Sequence, residues 1–278
     1  MFSVNTSELT TQKIHQILLG AVGPRPIAFA STIDKNGNRN LSPFSFFNVF
    51  SATPPILIFS PARSGRTGET KNTFDNVKEI PEVVINVVNY DIVQQMSLAS
   101  SPFAKDVDEF IKSGLTPIPS DIVKPFRVKE SPVQFECKVN QIIELGQNGG
   151  AGNLIICEVL RIHINEAILA DDGLIDQKKI DLVSRMGGNW YCRADENSMF
   201  EIAKPLTTIG IGVDQIPKHI RTNPALSGND LGLLASVEAL PTPEEIKKHP
   251  KTSNNIYTEA KQLIEKGEII NAWKILLG

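Results

Sequence analysis

The chain has 278 residues, a formal net charge of −3, 41% hydrophobic residues and 21% charged residues. It is long enough to bury a core, and these proportions belong to globular rather than disordered chains. The slight acidic balance argues against a nucleic-acid partner, which would require a basic excess, and no apolar run reaches the ~18–20 residues of a membrane span.

The N-terminal MFSVNTSELTTQK has no basic start followed by an apolar stretch, so no signal peptide is expected. Residues 9–20 predict a short helix: Thr10 or Thr11 caps it, Ile14, Ile17 and Leu18 share a face, and Gly20 ends it. Residues 23–44, GPRPIAFASTIDKNGNRNLSPF, predict a hairpin around Asn36-Gly37. With those two residues as the loop, Lys35 pairs with Asn38, Ser31 with Ser42, and Phe29 with Phe44. PPILIFS is a further strand, entered through Pro54-Pro55. TKNTFDNVKEIPE predicts a short helix stopped by Pro81, and EVVINVVN a β-branched buried strand.

Two more short helices are expected at 91–100 and 108–114. PVQFECKVNQIIELG and NLIICEVLRIHI then form a second hairpin, joined by the loop QNGGA. Strands outnumber helices up to about residue 165 and connect mostly through hairpins, which favours an antiparallel barrel over a parallel βαβ sheet. The composition shifts near 195, where strand runs give way to Pro, Gly and Asn. Residues 253–277 are amphipathic and helical, with Ile256, Leu263, Ile264, Trp273, Ile275 and Leu276 as apolar positions. This extension is too apolar to be left solvated and is expected to pack on the barrel or on a second subunit.

Most chemistry-bearing residue types take a structural reading. The loop GQNGGAG (146–152) leads into a strand, whereas a phosphate loop opens a helix, so it reads as a turn. IGIGVD (209–214) lacks a third glycine and a following helix. His15, His163, His219 and His249 are scattered, which argues against a metal site or a Ser/His/Asp triad; His163 alternates with Ile162 and Ile164 and faces the polar side of a strand. Asp171-Asp172 and Glu244-Glu245 sit in turns or at helix starts, where carboxylates favour the helix dipole. Cys137, Cys157 and Cys192 form no CxxC pair, and a reduced, cytoplasmic protein is expected. Arg63 with Arg66, Lys178 with Lys179 and Lys247 with Lys248 read as solvated surface.

What remains is a concentration of hydroxyls, rings and amides between Phe29 and Thr73. A phosphomonoester needs hydroxyl and N–H donors with one or two cations, and a helix N-terminus supplies several donors. Lys71, Asn72 and Thr73 stand at such a start, with Arg63 and Arg66 nearby in sequence. A flat ring system needs an apolar slot, which Phe29, Phe46 and Phe47 would provide. These residue types alone leave a flavin and another phosphorylated aromatic equally open.

RPIAFASTIDKNGNRNLSPFSFFNVFSATPPILIFS (25–60), TKNTFDNV (70–77) and SRMGGNWYCR (184–193) resemble the flavin reductase-like, FMN-binding split-barrel proteins, including flavoredoxin and the reductase partners of two-component monooxygenases. The resemblance frames residues 8–195, so a domain at 1–195 and an extension at 196–278 are expected. It implies a mainly β fold: a six-stranded antiparallel Greek-key split barrel with short helices, a homodimer, and FMN near the subunit interface. Carried over by position, Ser31 and Thr32 would meet the flavin ring or ribityl region. Ser45, Phe46, Phe47 and Asn48 would follow the ribityl chain and phosphate. Ser60 lies where the next strand approaches, Lys71 and Thr73 would bind phosphate, and Trp190 with Tyr191 would stand near the pocket. The family often reads Lys-Asp-Thr where this chain has Lys71-Asn72-Thr73; losing that charge should not weaken phosphate binding.

The activity implied is hydride transfer from NADH or NADPH to FMN, with no protein acid or base as catalyst and a monooxygenase or electron-transfer protein as a partner. A flavoredoxin-like electron carrier and a non-catalytic FMN binder are the alternatives.

Overall fold

The first hairpin is shifted by one residue from the expected register. In the computed structural model, which describes residues 1–248 and 255–278, β1 (Ala28–Ile33) pairs with β2 (Arg39–Phe44) so that Ser31 faces Leu41, Ala30 faces Ser42 and Phe29 faces Pro43. The cause is Asp34. Its carboxylate accepts from the backbone N–H of Asn36 and of Asn38, each at 2.9 Å, and from the Asn38 side chain at 2.9 Å. Those bonds stretch the connection to five residues, 34–38, with Gly37 at φ +85°. A slip of one residue exchanges the faces on which cross-strand partners meet.

Seven strands, not six, form the main sheet, in the order β2-β1-β5-β8-β9-β4-β3. The additional strand is β3 (Phe47–Ala52), which covers part of the run expected to line a cofactor slot; it pairs with β4 (Pro55–Phe59). β5 (Glu82–Val87) joins β1 to β8 (Val133–Glu144), and β8 pairs along its length with β9 (Asn153–Ile164). Every pairing is antiparallel. Between β5 and β8 lie the two-residue strands β6 (Pro117–Ile118) and β7 (Arg127–Val128), which pair with each other. β10 (Val183–Arg185) and β11 (Tyr191–Arg193) form a separate small hairpin.

The two edge strands are joined directly by Ser45-Phe46. Laid flat, six strand spacings would part them by about 29 Å, whereas three residues reach at most about 11 Å. The sheet must therefore curl until β2 and β3 approach. They do not hydrogen-bond, so the curl stays open there and no closed barrel forms. Phe44 of β2 meets Phe59 of β4 inside it, ring centroids 5.6 Å apart.

β1 is buried on both sides, and its alternation divides the core. Ala28 and Ala30 point inward with Phe44, Phe59, Ile85 and Ile155. Phe29 points outward into a second cluster with Leu41, Ile92, Met96 and Phe110. That outer layer is built by α3 (Val93–Ala99) and α4 (Glu109–Ser113), the latter capped by Asp108. α1 (Thr11–Ala21) starts at Thr10, whose side chain accepts from the Lys13 N–H, and buries none of its residues. α2 (Asn72–Glu79) buries Phe74 and Val77, and Val77 reaches the inner cluster. Cys137 and Cys157 fill that cluster, and burial pushes both thiols well up.

The chain divides into two units, Met1–Phe200 and Glu201–Gly278. The second has its own core of Ile216, Ile220, Leu234, Ile264 and Trp273. It is helical: α5 (Lys218–Arg221), α6 (Gly228–Leu234), α7 (Pro243–Lys247), α8 (Ile256–Glu265) and α9 (Ile269–Leu277). Ser227 and Thr242 close capping boxes with Asp230 and Glu245, so Glu245 has the structural place expected of it. Trp273 is fully buried and donates from Nε1 to the Leu234 carbonyl at 2.8 Å. The helical expectation over 253–277 corresponds to α8 and α9; Ser253, Asn254 and His249 lie outside the described residues. Among the described residues, no helix is long and apolar enough to cross a membrane.

Candidate functional site

Phe46, at the gap in the curled sheet, opens on a cavity of about 560 Å³, within the ~300–1,000 Å³ of small-molecule sites. Three separate pieces of chain complete the wall. α1 contributes Thr11, His15 and Leu18, the segment after β4 contributes Ala62, Arg63, Gly65 and Arg66, and the β8–β9 turn contributes Gly150. The His15 and Phe46 rings meet edge to face, with centroids 6.3 Å apart. The backbone fixes two of these pieces together, because Arg63 N–H donates to the Ala151 carbonyl (2.8 Å) and Gly150 N–H to the Arg63 carbonyl (3.1 Å).

The polar side of the cavity is cationic. Arg63 gives Nη2 to Glu144 (3.1 Å) and Gln147 (3.0 Å), and Nη1 to the Gly68 carbonyl (3.3 Å), while its Nε is buried without a partner. Glu144 also takes Lys78 at 2.7 Å, and the Lys78 and Gln147 hydrogen bonds, with Arg63, hold its carboxyl below the usual carboxylate range. Arg66 is exposed and has no hydrogen-bond or ion-pair partner among the described residues. The unpartnered Arg66 guanidinium beside the cationic Arg63 suits a phosphate-bearing ligand, and the Phe46–His15 wall suits its ring.

Of the twelve residues expected to hold the cofactor, Phe46 lines this cavity. Phe47 packs against the inner cluster, and Asn48 is exposed and accepts from the Val49 N–H at 2.8 Å. Ser45 opens instead on a smaller cavity. Phe29 and Ser31 are fully buried, Phe29 in the outer cluster and Ser31 with an unpartnered hydroxyl. Thr32 and Thr73 belong to a buried network: Asn40 donates to Thr73 (2.9 Å) and Thr32 (3.2 Å), and Asn76 donates to Thr32 (3.1 Å). Ser60 is buried and accepts from Asn153 N–H at 3.0 Å. Lys71 is exposed at the N-cap of α2, Asn72 is half-buried beside it, and Trp190 is 77% exposed on the β10–β11 turn. Thr32 and Thr73 thus join β1 and α2 through Asn40 and Asn76.

Sequence reasoning missed the α1 wall, although the apolar face of Ile14, Ile17 and Leu18 was the signal. It treated Arg63 and Arg66 chiefly as surface, and the QNGGA turn as nothing more than a turn. His163 does serve structure: its Nε2 meets Glu136 at 2.7 Å. Asp121, Glu136 and His163 converge closely enough for a cation. That place is taken, because Arg161 pairs with Asp121 at 2.5 Å and Arg127 lies 3.9 Å from Glu136. Glu136 further accepts from the backbone of Asp121, Ile122 and Val123.

Comparison with known proteins places this geometry in a family. A protein of Aquifex aeolicus is 37% identical over 182 residues, covering 65% of this chain and 90% of its own length. The crystal structure of nitrilotriacetate monooxygenase component B from Bacillus cereus is 31% identical with a TM-score of 0.68, covering 73% of this chain and 98% of that one. A putative flavin reductase with a split barrel domain from Shewanella frigidimarina is 26% identical with a TM-score of 0.61, covering 73% of this chain and all of that one. The model of the flavin reductase like domain matches residues 21–180, more than half of the chain, and the chain belongs to that family.

Proposed function

We propose that this chain is an FMN-binding flavoprotein that takes a hydride from NADH or NADPH and passes the electrons to free flavin, oxygen or a partner protein such as a monooxygenase. The observation that carries the reading is the 560 Å³ cavity in which Arg63 and Arg66 share a wall with Phe46 and His15. Arg66 would hold the phosphate, with Arg63 and Lys71 adding positive charge along the same segment. Phe46 and His15 would face the ring, and Gly150 lets backbone approach it. Bound FMN would supply the two-electron chemistry, and the protein's part is binding, orientation and electrostatics. A second copy of the chain would cover the apolar residues that α1, its C-cap and β3 leave exposed, Leu18, Val22, Val49 and Phe50.

The test is an FMN titration of the purified chain, followed by absorption under nitrogen before and after NADH or NADPH. Arg66→Ala should weaken FMN binding by about 1.5–3 kcal/mol, the worth of a hydrogen bond to a charged group, which is roughly ten- to 150-fold in Kd. Bleaching by a nicotinamide nucleotide supports the reductase, and bleaching only by a protein donor supports an electron carrier. A protein that ignores FMN refutes both.

A further inference from the structure

Arg25 is only 6% exposed and has no carboxylate within ion-pair distance among the described residues. It is held by carbonyls: Nη1 donates to Leu19 (2.8 Å) and to Val22, and Nη2 to Met186 (2.9 Å). Its Nε points to the Ser45 hydroxyl at 3.4 Å. Buried charges are ordinarily paired with an opposite one. Here the neighbouring charge is another cation, and burial together with Arg185 lowers the pKa of Arg25. Arg185 stacks on Tyr191 at 4.6 Å, gives Nη1 to the Trp190 carbonyl at 3.0 Å, and likewise lacks an acidic partner.

Arg185 lines a cavity of about 170 Å³ with Ser45, Ser100, Tyr191 and the apolar Ile27, Phe44 and Met96, and Arg25 stands behind its Ser45 wall. Ser45 and Phe46 are consecutive and line different cavities. Because the Ser45 oxygen accepts from Arg25, its proton is left to donate elsewhere.

We infer that this second cavity binds a small organic carboxylate, gripped by the Arg185 fork and the Ser45 hydroxyl with Arg25 as a fixed positive charge behind. The mostly polar lining suits the carboxylate, Ile27, Phe44 and Met96 leave a smaller apolar face for a carbon frame, and the volume, below the ~300 Å³ of drug-sized sites, limits it to a single ring or a short chain. The further assignment of that ligand as a carboxylate-bearing electron acceptor rests on the proposed flavin chemistry; the binding itself does not.

Benzoate and its neutral isostere benzamide are titrated against the full chain, following the Ile27 and Met96 methyl resonances. Benzoate should shift both signals and bind at least tenfold more tightly than benzamide, with inorganic phosphate leaving them unmoved. Arg185→Gln should weaken benzoate tenfold or more while the separate FMN titration stays as in the unmodified chain. Benzoate no tighter than benzamide, or methyl signals that do not respond in the unmodified chain, would overturn the inference whatever the variant does. A response to phosphate equal to that of benzoate removes the organic carboxylate, and FMN affinity falling in step with benzoate removes the separate subsite.

Discussion

Gly150 offers the sharpest test of how the large cavity is built. It holds φ +87°, and a Cβ there would stand 3.0 Å from Cγ2 of Thr11, on the facing wall. Gly150→Ala therefore combines two costs, a backbone in a region that L-residues avoid and a methyl pressed against another methyl. Residues held in sparsely populated regions cost about 1–3 kcal/mol. At 2–4 °C per kcal/mol for 150–250 residues, a cost of about 2 kcal/mol lowers Tm by roughly 4–8 °C. Thr11→Ser removes Cγ2 and keeps the hydroxyl, so the double variant separates the costs. Its FMN affinity should return toward that of the Thr11→Ser chain, because the wall has relaxed, while most of the Tm loss remains, because the backbone has not. Differential scanning calorimetry and flavin fluorescence quenching read the two quantities. An unchanged Tm in Gly150→Ala, or its full recovery in the double variant, would refute the account of this turn.

Two further outcomes concern the frame around the site. Burial alone would raise the Glu136 pKa, but the Asp121 N–H, His163 and the N–H groups of Ile122 and Val123 outweigh it and bring it down to about 2 from an ordinary 4.5. A depressed folded pKa means that this stabilisation is complete above about 4.5 and drains as pH falls toward 2. Glu136→Gln should cost about 3 kcal/mol at neutral pH and flatten the urea-measured loss of stability across that acid window; an equally steep acid loss in the variant would sink the assignment. Trp273→Ala should cost about 3–5 kcal/mol, confined to Glu201–Gly278, because the core it fills lies within that unit. FMN affinity measured on the same chain should hold, and a fall matching the unfolding would show that the site needs the extension.

The elements were legible because their signals are local. Thr10 caps α1, Asp108 caps α4, and the β8 and β9 runs carry their β-branched pattern in the sequence. The first hairpin was legible as a hairpin but not in register, since the Asn36-Gly37 pair specifies a two-residue turn only when nothing competes. Asp34 competes, offering one carboxylate to three donors. β3 was hidden for another reason. Val49 and Phe50 are both exposed, so Phe47–Ala52 lacks the alternation that marks a half-buried strand.

The site was harder because its residue types say what they can bind and not what they already hold. Thr32, Ser60 and Thr73 have the hydroxyls a phosphate ester needs, and in the fold each is buried and accepts from an asparagine side chain or backbone. Arg63 and Arg66 look like ordinary surface, and only the fold shows which of their donors remain free. The same reasoning separates the two cavities that meet at Ser45-Phe46. Ser45 and Phe46 form the bend between β2 and β3, and that one dipeptide delivers a ring to one cavity and a hydroxyl to the other. Arginines stand at both, Arg63 and Arg66 beside the ring, Arg25 and Arg185 beside the hydroxyl. Glu144 reaches only Arg63 among these four. Positive charge is thus left unbalanced on both sides of a two-residue link, which is the electrostatic setting in which two anionic groups are held close to one gap in a curled sheet.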